Sequence, residues 1–159
     1  VIVLRTLSKF AGLAGYRVGY GIFPEWAVPY LNRVAPPFFN ISAVSSAVAV
    51  ASLADLDILN DRLAQLLAER DQLAANLEEI PGVHVYPSAT NFILVDLPVE
   101  SSEGLLKDLA ARRIFVRRFG HPEHGLGHCL RISIGSPEDN RLVLDAITEL
   151  LPAHRTDAA

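Results

Sequence analysis

The stretch of sequence that decides the fold is residues 5–20, which read Arg-Thr-Leu-Ser-Lys-Phe-Ala-Gly-Leu-Ala-Gly-Tyr-Arg-Val-Gly-Tyr. It follows the apolar run Val1-Ile2-Val3-Leu4, which is typical of a buried strand. The hydroxyls of Thr6 and Ser8 and the amine of Lys9 fall at the carboxyl end of this strand. Open α/β sheets bind their ligands at the carboxyl ends of their strands. We therefore expect these residues to line a ligand site.

Lys9 is the candidate reactive residue of this site. A lysine amine becomes a nucleophile and forms Schiff bases when burial or nearby cations activate it. The other lysine of the sequence, Lys107, falls on an amphipathic helix and is expected to be solvated. Taken alone, a lysine at a strand end could equally extend into water. Thr6, Ser8 and Arg17 favour the functional interpretation, because two hydroxyls and a guanidinium make a good phosphate cradle. Local turn hydrogen bonds and an ion pair remain the structural alternatives for them.

Composition and charge exclude several classes of function. The 159 residues suit one domain or parts of two, half of them are hydrophobic, and the net charge is −4. This charge favours neither nucleic acid nor an anionic membrane surface, and no apolar run reaches the roughly 20 residues of a membrane span. The single Cys129 fits a reducing compartment, so we expect a cytoplasmic protein. The chain opens in a strand without an initiator methionine, which suggests a piece of a longer protein.

Hydrophobic periodicity and turn residues predict the elements along the chain. Helix 43–54, with Ser42 as its N-cap, is small and apolar nearly all round and is therefore expected to be buried. From residue 83 onward the order is β-β-α-β-β-α, which describes a compact α+β unit. The predicted strands are 1–5, 17–23, 83–86, 91–97, 114–118 and 129–134, and the predicted helices are 24–34, 43–54, 57–80, 102–113 and 137–151.

Arg131 is the second candidate functional residue. It lies between Leu130 and Ile132 in a predicted strand, so its side chain leaves the sheet on the face opposite theirs. An arginine in this position is poorly placed unless it pairs with an anion. The alternative to a bound ligand is a salt bridge to Glu138 or Asp139 of the last helix.

Three histidines, His121, His124 and His128, share one loop and raise the question of a metal site. Apart from Glu123 and Cys129, no carboxylate or thiolate stands in register with them. We therefore expect ordinary loop histidines and no metal.

The motif of residues 6–9 followed by residues 12–20 resembles the cofactor-attachment segment of fold-type I, class I/II pyridoxal-phosphate aminotransferases, most of all that of histidinol-phosphate aminotransferases. The resemblance continues through Pro36-Pro37, Asn40 and residues 89–95, 115–119 and 129–135, and so covers nearly the whole chain. It implies an α/β fold in which the end of the large cofactor-binding domain (1–56) is followed by a small α+β domain (57–159) with a long connecting helix. This would be an incomplete PLP-dependent transferase fold.

The resemblance also implies roles for individual residues. Lys9 would bind pyridoxal 5′-phosphate as a Schiff base and later move a proton, while Thr6, Ser8 and Arg17 would hold the cofactor phosphate. Arg131, assisted by Arg117, would bind the anionic end of an amino substrate, and a 2-oxo acid would accept the amino group. Family members are usually homodimers. The family more often has Ala-Phe where this chain has Phe10-Ala11, and loop 119–127 differs in length, so Arg118 stays open as an alternative to Arg117.

The family's earlier half, which carries the aspartate that pairs with the pyridinium nitrogen, has no counterpart before Lys9. We therefore expect a carboxyl-terminal portion with weak or no transamination by itself. Two alternatives remain: a related pyridoxal-phosphate lyase or decarboxylase, which would use the same lysine, and a non-catalytic α/β binding or assembly module.

Overall fold

The computed structural model describes residues 1–34, 40–119, 123 and 125–156. The predicted aromatic loop at 35–39 and the side chains of His121 and His124 lie outside these residues. The chain divides into two compact units, residues 1–63 and residues 64–159. The assignment of residues 1–56 and 57–159 to a large and a small domain stays a prediction.

The first unit begins with a two-stranded antiparallel ribbon. Strand β1 (Val3–Thr6) pairs with strand β2 (Gly19–Ile22), and Thr6 lies opposite Gly19. A Cβ atom at Gly19 would lie 2.8 Å from the carbonyl oxygen of Arg5, so the close approach of the two strands requires glycine here. The ribbon is followed by a 3₁₀ turn, Glu25–Ala27, and by helix α1 (Val28–Val34).

The prediction that the opening strand is buried is wrong. The side chains of Ile2 and Leu4 are 55 % and 71 % exposed. A strand with two buried faces needs sheet neighbours and covering layers, and among the described residues β1 pairs with β2 alone. The apolar pattern therefore predicts a strand correctly, but the side chains of this strand are largely exposed to solvent.

Helix α2 (Ala43–Ala54) also departs from its predicted burial. Ser42 caps it as expected, because its hydroxyl accepts a hydrogen bond from the Ser45 amide at 3.0 Å. Val44 and Val50 are nevertheless 65 % and 67 % exposed, and the buried residues of the helix are Ser45 and Ala49. A helix that is apolar all round is buried only when neighbours surround it, and the first unit covers one side of α2.

Helix α3 (Leu56–Glu78) is the long amphipathic helix that periodicity predicts at 57–80. It ends before Pro81 and Gly82, and Gly82 has a φ angle of +78°, which glycine adopts without strain. No single described helix is long and apolar enough to cross a membrane; α2 and α3, which meet at a bend, meet the criteria of length and composition only as a pair.

The second unit confirms the predicted β-β-α-β-β-α order. Its elements are β3 (His84–Tyr86), β4 (Phe92–Asp96), α4 (Glu103–Ala111), β5 (Arg117–Arg118), β6 (Cys129–Ser133) and α5 (Pro137–Leu150). The strands form one antiparallel sheet in the order β3-β4-β6-β5. One face of this sheet packs on α3, α4 and α5, and the core between them includes Leu77, Ile93, Val95, Leu105, Leu109, Leu130, Ile132 and Ile147.

Specific hydrogen bonds form at both ends of helix α4. The hydroxyl of Ser102 does not cap the helix but donates to the carbonyl oxygen of Gly127 at 2.9 Å. At the other end, Ile114 N donates to Leu109 O and Arg113 N donates to Ala110 O, both at 2.9 Å, which is a Schellman motif. Arg113 occupies the left-handed position of this motif with a φ angle of +64°.

Candidate functional site

The turn that carries Lys9 has a fixed backbone. The carbonyl oxygen of Leu7 accepts hydrogen bonds from the amides of Ala11 (3.3 Å) and Leu13 (3.1 Å), and the amide of Leu7 donates to Val18 O at 3.1 Å. The side chains of Leu7, Leu13 and Val18 are buried and pack together with Ala49 of α2. The apolar residues of the motif therefore anchor the turn, and its polar residues face outward.

The Lys9 side chain is exposed, and its amine has no hydrogen-bond or ion-pair partner within the part of the chain that the structure describes. Lys107, by contrast, lies on α4 with its amine 3.1 Å from a carboxylate oxygen of Glu103. The expectation that Lys107 is a solvated surface residue is confirmed, since its side chain is 73 % exposed. Of the two lysines, Lys9 is thus the one whose amine is available.

The two hydroxyls beside Lys9 contact one another. Thr6 Oγ1 donates to Ser8 Oγ at 2.9 Å, and the amide of Ser8 donates to Thr6 Oγ1 at 3.1 Å. The local turn hydrogen bonds that were the structural alternative are therefore present. They also hold two hydroxyl groups side by side at the start of the turn, which is the arrangement that a phosphate could share.

Arg17 is not on a strand, contrary to the prediction of a strand at 17–23. It follows the short 3₁₀ helix Ala14–Tyr16 and has a φ angle of +57°, and a left-handed residue cannot continue into regular β structure. For a residue with a Cβ atom this conformation costs about 1–2 kcal/mol. Its guanidinium donates to the carbonyl oxygen of Ala14 at 2.9 Å and not to the hydroxyls of Thr6 or Ser8. Strain of this kind at a polar residue is a reason to look for function.

A second group of candidate residues lies on the sheet of the second unit. Arg131 of β6 is directly opposite Arg117 of β5 and directly opposite Leu94 of β4. Leu130 and Ile132 point into the core, so Arg131 leaves the sheet on the other face, as predicted. Opposed residues of an antiparallel pair share a face, and like charges in that position repel one another. An anion bound between Arg117 and Arg131 would relieve this repulsion.

The guanidinium of Arg131 lies among aromatic rings. Its central carbon is 4.9 Å from the ring centroid of Phe92 and 5.9 Å from that of Phe119, both within range of a cation–π contact. The Nε atom is buried and has no hydrogen-bond partner. A buried donor without a partner is costly, and a carboxylate or phosphate oxygen would satisfy it. The donor chemistry of this face therefore fits an anionic ligand.

Neither Glu138 nor Asp139 forms an ion pair with Arg131 in the part of the chain that the structure describes. Asp139, one possible partner of Arg131, accepts the hydroxyl hydrogen of Ser136 at 2.9 Å and completes a capping box at the start of α5. Arg118 lies 3.4 Å from Glu103, on α4. Hydrogen bonds from Lys107 and then from Arg118 lower the pKa of the Glu103 carboxyl. Arg117 therefore shares the face of Arg131, whereas Arg118 is engaged in an ion pair.

Three residues near these sites were not predicted from the sequence. Phe92 and Phe119 belong to segments that carry the family resemblance, but no pattern in the sequence indicated that their rings flank Arg131. Asp96 lies opposite Cys129 and 3.2 Å from His128, which only the pairing of β4 with β6 reveals. Phe92 and Asp96 are separated by an even number of positions in β4 and therefore share a face of the sheet.

The chain belongs to the aminotransferase class I and II family, whose model matches residues 1–147. It is 42 % identical over 153 residues to the histidinol-phosphate aminotransferase of Roseiflexus castenholzii, covering 94 % of this chain and 40 % of that protein. The structure of histidinol-phosphate aminotransferase from Sinorhizobium meliloti in complex with pyridoxal-5′-phosphate is similar with a TM-score of 0.80 at 29 % identity, covering 96 % of this chain and 41 % of that one. A decarboxylase from Sulfurospirillum multivorans is similar with a TM-score of 0.82 at 27 % identity, over 95 % of this chain and 44 % of that one.

These similarities confirm the predicted family and the predicted α/β fold of PLP-dependent transferases. The chain spans about two fifths of the length of the relatives described above, so the fold it contains is a partial one.

Proposed function

We propose that this chain is the part of a pyridoxal-phosphate-dependent aminotransferase that supplies the cofactor lysine and the arginines for an anionic substrate. The amino group would pass between an amino substrate, of the histidinol-phosphate type, and a 2-oxo acid. The observation that carries the proposal is the exposed amine of Lys9, which has no partner among the described residues. It lies on a turn fixed by backbone hydrogen bonds, beside the hydroxyls of Thr6 and Ser8.

The donor set around Lys9 fits pyridoxal 5′-phosphate. An aldehyde requires an available amine, and a phosphate requires hydroxyl and guanidinium donors. When bound, the cofactor supplies the electron sink for amino transfer. Lys9 would attach it through Nζ, and the same Nζ would afterwards take the proton from the substrate Cα as general base. Thr6 and Ser8 would donate their hydroxyl hydrogens to the phosphate, and Arg17 would give up its bond to Ala14 O for a charged acceptor.

Arg131 and Arg117 would bind the anionic end of the substrate. A guanidinium binds carboxylate and phosphate alike through two parallel hydrogen bonds, so this face supports an anionic substrate of either kind. Stacking against Phe92 and Phe119 would hold the plane of the Arg131 guanidinium, which reduces the entropy lost when the substrate binds.

Borohydride reduction tests the proposal, since the chain contains its own control lysine. We incubate the chain with pyridoxal 5′-phosphate, reduce it and map the modified peptides. We expect the pyridoxyl adduct on Lys9 and not on Lys107, loss of the adduct in Lys9→Arg, and no loss in Lys107→Arg. The double variant Thr6→Ala/Ser8→Ala should require higher cofactor concentrations. Equal labelling of both lysines, or no adduct on Lys9, would contradict the proposal and favour the non-catalytic binding or assembly module.

A decarboxylase is the second candidate, because the structure from Sulfurospirillum multivorans is as similar to this chain as that of the aminotransferase. Both chemistries use a lysine in the position of Lys9, so the adduct does not separate them. Product analysis separates them in a protein that also contains the earlier half of the family's length, because we expect weak or no transamination from this chain by itself. An aminotransferase yields glutamate from 2-oxoglutarate and consumes the amino donor, whereas a decarboxylase releases carbon dioxide and retains the amino group.

We further propose a cytoplasmic homodimer with neither nucleic acid nor membrane as partner. The net charge of −4 and the single cysteine support the compartment and the absence of polyanionic partners. The exposed side chains of Trp26, Val34, Val44 and Val50 support an apolar contact surface on the first unit. Light scattering after size exclusion tests the dimer: a mass of one chain at micromolar concentration would contradict it.

A further inference from the structure

A cluster of three metal-binding side chains lies on the second unit, at the end of the β4–β6 pair. Asp96 of β4 is directly opposite Cys129 of β6, and His128 immediately precedes that strand. His128 Nε2 lies 3.2 Å from Asp96 Oδ1. One donor atom from each of the three residues lies within 4.8 Å of the others. We propose that Asp96, His128 and Cys129 bind a divalent transition-metal ion, Zn²⁺ by preference, with solvent in the fourth position.

The chemistry of the donors supports Zn²⁺. One imidazole nitrogen, one carboxylate oxygen and one sulfur are the three ligand types that Zn²⁺ accepts, whereas Mg²⁺ and Ca²⁺ prefer oxygen alone. Zinc–ligand distances of about 2.0–2.3 Å place tetrahedral ligands roughly 3.5 Å apart. The donor atoms of the cluster lie within 4.8 Å of one another, so side-chain rotations that move them by about an ångström would bring them to this spacing.

Charge balance also favours a divalent ion. A carboxylate and a thiolate carry two negative charges, so a divalent cation makes the cluster neutral, and a neutral site is the least costly to bury. Burial, and then the charge of Asp96, raise the pKa of the Cys129 thiol. A bound cation reverses the local electrostatics and deprotonates a coordinating thiol.

The neighbouring residues already orient the ligands. The hydroxyl of Tyr86 donates to Asp96 Oδ2 at 3.2 Å, which leaves Oδ1 facing His128. The carboxylate of Asp96 in turn raises the pKa of the Tyr86 hydroxyl. The hydroxyl of Ser102 donates to the carbonyl oxygens of Gly127 and Cys129, at 2.9 and 3.4 Å, and so holds the backbone on both sides of His128. The bond from Tyr86 to Asp96 is an outer contact of the kind that is typical of metal sites.

The cluster is accessible from one side. The side chains of His128 and Asp96 are 34 % and 30 % exposed, whereas Cys129 is fully buried. A cation can therefore arrive from solvent at the imidazole and carboxylate and meet the sulfur beneath them. The sequence predicted no metal, because apart from Glu123 no carboxylate stood in register with the loop histidines. Asp96 is the missing carboxylate, and the sheet pairing supplies it.

Cobalt provides the test, because Cys129 is the single cysteine and a thiolate-to-Co²⁺ absorption band can arise nowhere else. We titrate Co²⁺ into the untagged chain after chelator treatment and then displace it with Zn²⁺. We expect one ion per chain, a band that is absent from Cys129→Ser, and affinities in His128→Gln and Asp96→Asn weakened by more than the roughly 10–100-fold typical of an outer contact. Tyr86→Phe should weaken binding within that outer-contact range.

His154→Gln is the matched control, since His154 pairs with Asp108 at 2.7 Å away from the cluster. It should leave Co²⁺ binding unchanged. A second measurement covers variants that fold poorly: Zn²⁺ should raise the melting temperature of the unmodified chain and of His154→Gln. The proposal fails if the unmodified chain gives no thiolate band, or if the band persists unchanged in His128→Gln and Asp96→Asn.

Discussion

Replacing Arg131 by methionine should stabilise the second unit of the ligand-free chain while it abolishes anion binding. Arg131 keeps a buried Nε without a partner and lies opposite the like charge of Arg117. Methionine has a long, flexible and uncharged side chain that can keep the contact with Phe92. A residue that serves only the fold should lose stability when it is replaced, so the sign of the change separates the two roles.

The magnitude follows from four contributions. Removing the unpaired buried donor relieves about 1–3 kcal/mol, and removing the like-charge pair relieves about 0.2–1 kcal/mol. Losing the guanidinium contacts with Phe92 and Phe119 costs about 0.5–1 kcal/mol each. Sulfur–aromatic contacts recover about 0.3–1.5 kcal/mol of this. At mid-range values of these contributions the net expectation is a gain of about 2 kcal/mol, which corresponds to roughly 30-fold slower exchange of amides that open with the whole unit.

Native-state hydrogen exchange of the β4 and β6 amides measures this gain directly, because those amides report on the second unit alone. The same measurement in the presence of inorganic phosphate reports the stabilisation that comes from anion binding. At ten times its dissociation constant, phosphate should stabilise the unmodified chain by about 1.4 kcal/mol and leave Arg131→Met unaffected. Arg118→Met is the control: it removes the ion pair with Glu103 but should keep the response to phosphate.

Two results would refute the reasoning. If Arg131→Met is less stable than the unmodified chain, then Arg131 is a structural residue. If phosphate stabilises the unmodified chain and Arg131→Met equally, the anion binds elsewhere.

The remaining predictions concern stability. Glu149→Gln removes the bidentate pair with Arg112 (2.6 and 2.7 Å) and should lower the urea midpoint at pH 7. The hydrogen bond and charge of Arg112 lower the pKa of Glu149. The stability that this pair contributes is therefore present above the carboxyl's unfolded pKa and is lost as pH falls through its folded pKa. The urea midpoints of the variant and the unmodified chain should converge in acid, and a difference that stays constant with pH would contradict the prediction. Ser102→Ala deletes a fully buried hydroxyl that donates to Gly127 O and should cost about 1 kcal/mol in chemical unfolding, while an unchanged midpoint would contradict a structural role for this bond. Arg113→Gly removes a Cβ from a left-handed position at the end of α4 and should raise the thermal midpoint by an amount equivalent to about 0.5–1 kcal/mol, whereas a fall would mean that the Arg113 side chain makes a stabilising contact.

Local patterns in the sequence were sufficient to predict the order of the helices and strands in the second unit. Period-3.6 spacing and the Pro81-Gly82 stop predicted α3, and alternation around Arg131 predicted the face that it occupies. These predictions held because each depends on residues a few positions apart, and because this unit buries its own core between sheet and helices.

Burial in the first unit could not be predicted in the same way. An apolar run such as residues 1–4, or an apolar helix such as α2, is buried only if other segments cover it, and the described chain leaves both largely exposed. The same limit applies to the candidate sites. The left-handed backbone of Arg17 depends on a turn without a local signature, and the meeting of Asp96 with Cys129 depends on strand register between distant segments.

The environment of each arginine separates structure from binding in this protein. Arg112 and Arg118 each contact a carboxylate of another element, and their positive charges are thereby neutralised within the fold. Arg17 and Arg131 have no carboxylate partner among the residues that the structure describes, and each carries a cost: a left-handed backbone for the first, and a buried unpaired nitrogen beside a like charge for the second. A fold that held these two arginines only for stability would have no reason to bear those costs. Anionic ligands, a phosphate at the Lys9 turn and a substrate anion at the Arg117–Arg131 pair, would offset both.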